Sequence, residues 1–290
     1  MSDAVPPGDD GGVPGDPSHP DQAPGEALTP AALQRLLRSA VFGHRIFYYP
    51  SIGSTNDRAL ELAASEEPEG GLVLAEEQTL GRGRRERTWC SAPYAGIYAS
   101  LILRPAIPAT RAPLLTFMAA VAVADTLNEQ FRLRARIKWP NDVLIERRKI
   151  AGVLGEVRGS APEIREMVVG VGVNVNQSAA DFPAELEGKA TSVRLETGAP
   201  ADRAAILAGV LEGFERRYAR FLRDGPATLL REWESLSTLT PGAQLSVQGP
   251  TGRVEGEFTG IDLEGALVVR APAGSIHRIP FGELLDSLLT

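Results

Sequence analysis

From Pro30 onward the apolar positions fall into periodic runs. Thr29 followed by Pro30 supplies an N-cap and a first helical residue for a short helix reaching Ser39. Ser54-Thr55-Asn56 opens a second helix, with Ala59, Leu60, Leu62 and Ala63 on its apolar side. Leu72-Val73-Leu74-Ala75 and residues 96–103 read as strands, separated by a highly charged loop. Leu114, Phe117, Met118 and Val121 recur at helical spacing. Val143-Leu144-Ile145 and residues 150–157 bracket a polar turn at 146–149, which predicts a hairpin. Residues 167–176 alternate with period two and place glycine on one face of a strand. Leu207, Val210, Leu211, Phe214, Tyr218 and Phe221 form an amphipathic helix.

After Thr240-Pro241-Gly242 the texture changes. Short apolar strands alternate with turns at 249–252, 262–265 and 271–274, the pattern of a small antiparallel barrel. The chain therefore divides into residues 1–30, an α/β (α+β) body at 31–240 and a C-terminal unit at 241–290. No internal repeat is apparent.

Composition sharpens the first boundary. Residues 1–30 hold seven Pro, five Gly and six acidic residues, with no Lys or Arg and no aromatic. Burial in such a segment cannot offset its ordering entropy, so it reads as a disordered tail. It also carries six of the 37 acidic residues behind the net charge of −7, which leaves 31 acidic against 30 basic residues in the body. An acidic-to-neutral chain is a poor general nucleic-acid binder, and no DNA partner is expected. One cysteine, Cys90, excludes an internal disulfide. One Cys and three His also cannot build a Cys/His metal cluster. No signal peptide and no apolar run of about 18 residues is found, so the expectation is a cytoplasmic chain without a membrane partner.

Three segments carry candidate chemistry. Gly81-Arg82-Gly83-Arg84-Arg85-Glu86-Arg87 crowds four guanidinium groups into six positions. A solvated basic loop is one reading; the other is a loop that orders around a phosphate or carboxylate, whose geometry guanidinium forks match. A dinucleotide loop is disfavoured, because Glu86 stands where a third glycine is needed. Lys138-Trp139-Pro140-Asn141-Asp142 and Lys149-Ile150-Ala151-Gly152 contain two of only three lysines. The hairpin folds Lys149 back towards Lys138, so both cations can face one pocket, with Asp142 offering an oxygen to phosphate-bound Mg²⁺. Taken singly, Trp139 as core, Asn141-Asp142 as a turn and Lys149 as solvation are equally simple readings. No Walker A loop is present. In Gly170-Val171-Gly172-Val173-Asn174, alternate glycines leave a bare strand face, for a ligand or for tight packing. Asn174 shares that face and can serve a purine or phosphate group as donor and acceptor.

In order and spacing, Ser54-Thr55-Asn56, Gln78 with Gly81 to Arg84, the K-W-P-N-D segment, K-I-A-G and the Gly170–Asn176 strand resemble the biotin–protein ligases. The resemblance spans roughly residues 45–290. It implies a mixed-sheet catalytic domain related to class II aminoacyl-tRNA synthetases, plus a C-terminal SH3-like domain. It implies ATP, biotin and Mg²⁺, a biotinyl-5′-AMP intermediate, and transfer to a lysine of a biotin carboxyl carrier domain of biotin-dependent carboxylases. No covalent enzyme intermediate is implied, and a homodimer is compatible. By resemblance, Ser54, Thr55, Asn56, Gln78, Arg82, Gly83, Arg84 and Lys149 bind biotin. Arg82, Arg84, Arg87, Lys138, Trp139, Asn141, Asp142 and Asn174 serve ATP, Asp142 the metal, and Lys149, Arg84 and Lys138 the catalysis. Trp89 is a weaker match.

Two departures stand out. The family loop reads G-R-G-R-x-G-R-x-W, yet position 86 is Glu. Some members also carry an N-terminal helix-turn-helix domain, where this chain has the Pro/Gly-rich segment. The rival readings are a lipoate–protein ligase and a non-catalytic biotin-binding regulator.

Overall fold

The computed structural model describes residues 27–158 and 163–287. The reading of residues 1–26 as a disordered tail falls outside this range.

Helix α1 (Pro30–Leu36) starts as expected, with Thr29 Oγ1 accepting from Ala32 N at 3.2 Å, and ends three residues before Ser39. Strand β1 (Arg45–Tyr49) follows, then α2 (Thr55–Ala64), capped by the Ser54 hydroxyl. Strands β2 (Gly71–Ala75) and β3 (Gly96–Leu103) flank the arginine loop. The long helix α3 (Ala112–Phe131) leads into β4 (Arg136–Lys138), β5 (Asp142–Ile145), β6 (Arg148–Arg158) and β7 (Glu166–Asn174). Helices α4 (Val193–Thr197), α5 (Arg203–Asp224) and α6 (Ala227–Leu236) complete the body. The C-terminal unit is β8 (Gln244–Gly249), β9 (Gly252–Ile261), β10 (Leu267–Arg270), β11 (Ile276–Ile279) and β12 (Glu283–Ser287).

The body is a seven-stranded mixed sheet in the order β1-β2-β3-β7-β6-β5-β4, and the C-terminal unit a five-stranded antiparallel sheet, β11-β10-β9-β8-β12. Among the named strands, only β1 and β2 pair with each other in parallel. This is the mixed α/β architecture with a separate small β unit that the pattern predicts.

Strand alternation sorts β7 into two faces. Val169, Val171 and Val173 point into the main core, where α3 and α5 cover the sheet. By length and composition α3 is apolar enough to cross a membrane, but twelve of its residues are buried, eleven of them in this core. Each fully buried Leu or Phe there contributes roughly 1.5–3 kcal/mol. Phe117 stacks on Trp233 of α6 at 4.8 Å, which ties α6 to the same core. On the other face, α2 sets Ala59 and Ala63 against Val73, Ile102 and Val168. Beyond α2 that face carries only Gly170, Gly172 and Asn174 on β7, and there the site lies.

Candidate active site

Register builds the floor. Lys138 pairs with Asp142, Asp142 with Gly152, and Gly152 with Gly172, so these four share one face across four strands. Ser100 and Leu154 flank Gly170 in the next row. Lys149 reaches the same face through a β-bulge, since the β5–β6 register shifts between Val143 and Leu144. Regular alternation would turn Lys149 away from Gly152; the extra residue turns it back. The turn before it is tighter than expected. Strand β6 already begins at Arg148, and Glu146 takes the left-handed φ of 55° that a tight turn requires.

Above this floor lies a cavity of about 300 Å³. Every predicted site residue lines it: Ser54, Thr55, Asn56, Gln78, Arg82, Gly83, Arg84, Arg87, Lys138, Trp139, Asn141, Asp142, Lys149 and Asn174. One end is neutral and polar. Thr55 donates through both N and Oγ1 to Gln78 Oε1, at 2.9 and 3.0 Å, and Gln78 Nε2 donates to Ser91 Oγ at 3.0 Å. The other end is cationic. Lys149 Nζ lies 2.6 Å from Asp142 Oδ1 and 5.3 Å above the Trp89 ring centroid. Lys138 makes no ion pair among the described residues.

The arginine loop roofs the cavity as a closed turn. Gly83 N donates to Arg87 O at 2.7 Å, and Trp89 N to Gly81 O at 2.9 Å. A Cβ on Gly81 would stand 2.5 Å from Trp89 O, so this turn closes only on glycine. Arg84 points inward, donating to Asn141 Oδ1 at 3.0 Å and to Gly282 O of the second domain at 2.7 Å. Burial lowers its pKa from the ordinary guanidinium value, with the charge of Asp142 acting the other way. A largely desolvated guanidinium beside a cavity attracts anions more strongly than one in water. Arg85 and Arg87, at the exposed edge of the cavity, instead pair with Glu283.

At four of these positions the structure shows partners within the protein itself. Arg82 is no free cation, because its Nη2 lies 2.6 Å from Asp57 and 2.7 Å from Glu156. Asn174 lines the cavity, but Nδ2 donates to Thr191 O at 3.0 Å and Oδ1 accepts from Gln177 at 3.4 Å. Its polar groups hold the wall together. The bare glycine face is filled by side chains of the protein itself. A Cβ on Gly170 would lie 2.0 Å from Asn56 Oδ1, and one on Gly172 2.6 Å from the Trp89 ring. Lastly, Asp142 is committed to Lys149 through one oxygen, and among the described residues no group of three or more His, Cys, Asp or Glu could hold a metal ion.

Comparisons with known proteins agree with this geometry. Residues 48–174 match the biotin/lipoate A/B protein ligase family, and residues 244–284 the biotin protein ligase C-terminal domain. The bifunctional ligase/repressor BirA of Bacillus subtilis is 40% identical over 238 residues, covering 82% of this chain and 73% of that protein. The biotin--[acetyl-CoA-carboxylase] ligase of Paracoccus denitrificans is 38% identical, over 80% of this chain and 96% of that protein. The chain belongs to the biotin protein ligase family.

Among solved structures, the Aquifex aeolicus biotin protein ligase in complex with biotin and ATP superposes with a TM-score of 0.71 at 28% identity, over 83% of this chain and 97% of that one. In this biotin protein ligase, motif reading missed the residues that hold the site from behind. Ser100 is fully buried and touches both Thr55 and Asn56, while Glu156 and Asp57 hold Arg82. Glu283 joins the loop to the second domain. A lone Ser within an apolar strand and a Glu beyond K-I-A-G were the only signals available.

Proposed function

We propose that the chain activates biotin with ATP as biotinyl-5′-AMP and then transfers biotin to a lysine of a biotin carboxyl carrier domain. The observation that carries this reading is one cavity with a neutral amide-and-hydroxyl end and a cationic end built from Lys149, Lys138 and Arg84. Such a site suits a ligand with a polar neutral head and a carboxylate tail. The relatives named as biotin ligases support the same substrates.

In the first step a biotin carboxylate oxygen attacks the α-phosphorus of ATP, the α–β bridging bond breaks, and pyrophosphate leaves. Both partners are anions, so the barrier falls when fixed cations face the developing charge. Lys149 and Arg84 line the cationic end of the cavity and could meet that charge, and Lys138 stands on the same face of the sheet. In the second step the acceptor lysine amine attacks the acyl carbon, AMP leaves, and the amine loses a proton. The arginine loop lies over the cavity and excludes water from the mixed anhydride. Mg²⁺ bound with ATP takes most of its ligands from phosphates and water, so a single carboxylate suffices. Asp142 Oδ2 fits that part, and the ion itself would neutralise phosphate charge.

The test is incubation of the protein with biotin, ATP, Mg²⁺ and an apo carrier domain, followed by mass measurement of the acceptor. A gain of one biotinyl group is expected. No gain, or a gain with lipoate in place of biotin, would overturn the reading.

A further inference from the structure

Behind the neutral end of the cavity runs a chain of hydrogen bonds that starts at the arginine loop. Arg82 Nη2 donates to both oxygens of Glu156, at 3.0 and 2.7 Å. Asn56 Nδ2 donates to Glu156 Oε2 at 2.7 Å and to Leu154 O at 3.3 Å. Ser100 Oγ donates to Asn56 Oδ1 at 2.6 Å and lies 2.8 Å from Thr55 Oγ1, which sends its own proton to Gln78 Oε1.

The direction of every bond at Asn56 follows from the first acceptor. A carboxylate only accepts. Asn56 therefore turns its amide nitrogen to Glu156, which leaves Oδ1 as its one group with spare capacity. At the same end, the second Nε2 proton of Gln78 remains to donate, and the Ser54 hydroxyl meets no acceptor among the described residues. The pattern is one acceptor beside donors, the complement of an N–H next to a carbonyl.

We infer that Glu156 is a positioning residue for biotin: it fixes the amide of Asn56 so that Oδ1 receives a ureido N–H, and through Arg82 it ties that orientation to the arginine loop. This rests on the reading of the cavity as a biotin site. Asn56 is 5% exposed and its Oδ1 packs over Gly170, so its amide is oriented by Glu156 and Ser100 rather than by water. Arg82 offsets the charge of Glu156, and a second carboxylate, Asp57, also holds Arg82.

The experiment is steady-state kinetics of pyrophosphate release for Glu156→Gln and for the swapped pair Asn56→Asp with Glu156→Gln. In Glu156→Gln the new amide presents one oxygen to two donors, so Asn56 loses its fixed orientation. The expected result is a KM for biotin raised about tenfold, as for one lost hydrogen bond. The KM for ATP and kcat should stay within about twofold. In the swap, the amide introduced at position 156 donates to the carboxylate introduced at position 56. That carboxylate again accepts from Ser100 but leaves Leu154 O without its donor, so the biotin KM returns part of the way to the parent. A purely structural role would move all three constants and gain nothing from the swap. The inference is overturned if folded Glu156→Gln keeps the parental biotin KM, or if the swap is no better than the single variant. Should Glu156→Gln fail to fold, Ser100→Ala cuts the chain one link further on and is judged by the same selective rise in biotin KM. A parent enzyme that binds no biotin refutes the underlying reading instead, and that shows before any variant is compared.

Discussion

Glu283 on the C-terminal sheet holds Arg87 of the arginine loop at 2.5 Å through one carboxylate oxygen and Arg85 at 2.9 Å through the other. Arg85 also donates to Gln248 O at 3.2 Å, and Arg84 to Gly282 O at 2.7 Å. The roof of the cavity is thus fastened to the second domain. Partly exposed ion pairs contribute roughly 0.2–1 kcal/mol each. Glu283→Ala should therefore speed tryptic cleavage within residues 82–87 by about two- to tenfold. Unchanged cleavage would show that these contacts do not restrain the loop.

The same pair has a pH signature. The Arg87 hydrogen bond lowers the Glu283 pKa, partial burial opposes it, and the charges of Arg87, Arg85 and Lys138 lower it further. A depressed carboxylate pKa stabilises the folded state fully above the ordinary glutamate value of about 4.3, and the gain is lost as pH falls through the depressed value. The stability difference between parent and Glu283→Gln in urea should be constant from about pH 7 to about pH 5.5, well above that ordinary value. It should shrink towards zero at lower pH. A difference that does not change with pH would contradict this assignment.

Glu86 sits at φ 60°, in the left-handed region, at the position where the family motif has glycine. The departure seen in the sequence is thus a conformational cost in the loop. An L side chain in that region costs roughly 1–2 kcal/mol, partly offset by the greater freedom glycine has when unfolded. Glu86→Gly should raise stability by roughly 0.5–1 kcal/mol and slow cleavage of the loop. Chemical denaturation of the two proteins decides it, and a loss of stability would show that Glu86 has gained a compensating contact.

Lys149 and Asp142 can be separated from stability in a similar way. Each is about one-third exposed, at 35% and 32%, so the pair contributes little to folding. Lys149→Ala should shift the melting temperature by less than about 4 °C. If the ammonium meets the developing charge, pyrophosphate release should fall by roughly 100-fold or more. Lys149→Arg should restore only part of the rate, because a planar fork does not replace a compact charge. Parental rates for Lys149→Ala would remove it from the mechanism.

Particular residues mark how much of the fold and site is legible in the sequence. The Thr29 and Ser54 caps, the 145–150 hairpin and the β7 alternation are local, and local rules find them. Strands β1 and β4 escape those rules: β4 is three residues long, and β1 depends on parallel pairing with β2, which leaves no short-range signal. Motif order locates the cavity residues, because most of them fall in short runs, at 54–56, 81–87 and 138–142, that can be read together. The roles of Arg82 and Asn174 escape it for one reason. Their partners, Glu156 and Thr191, are distant in sequence, and a polar side chain looks free until its partner is placed.

The glycines of β7 give the sharpest steric test. The Cβ of alanine at 172 would stand 2.6 Å from the Trp89 ring, closer than real carbon contacts allow, so the ring must move. Trp89 is also the platform under the Lys149 ammonium, 5.3 Å away, and it borders the arginine loop. Overpacking of this kind costs typically about 1–3 kcal/mol. Gly172→Ala should therefore weaken ligand binding at the cationic end and shift Trp fluorescence, with a smaller effect at the Ser54–Gln78 end. Gly170→Ala should do the reverse, since its Cβ meets Asn56 rather than Trp89. Calorimetric titration of both variants with biotin and with ATP reads the two ends separately. The same loss for both ligands in both variants would mean that the glycines serve only sheet packing.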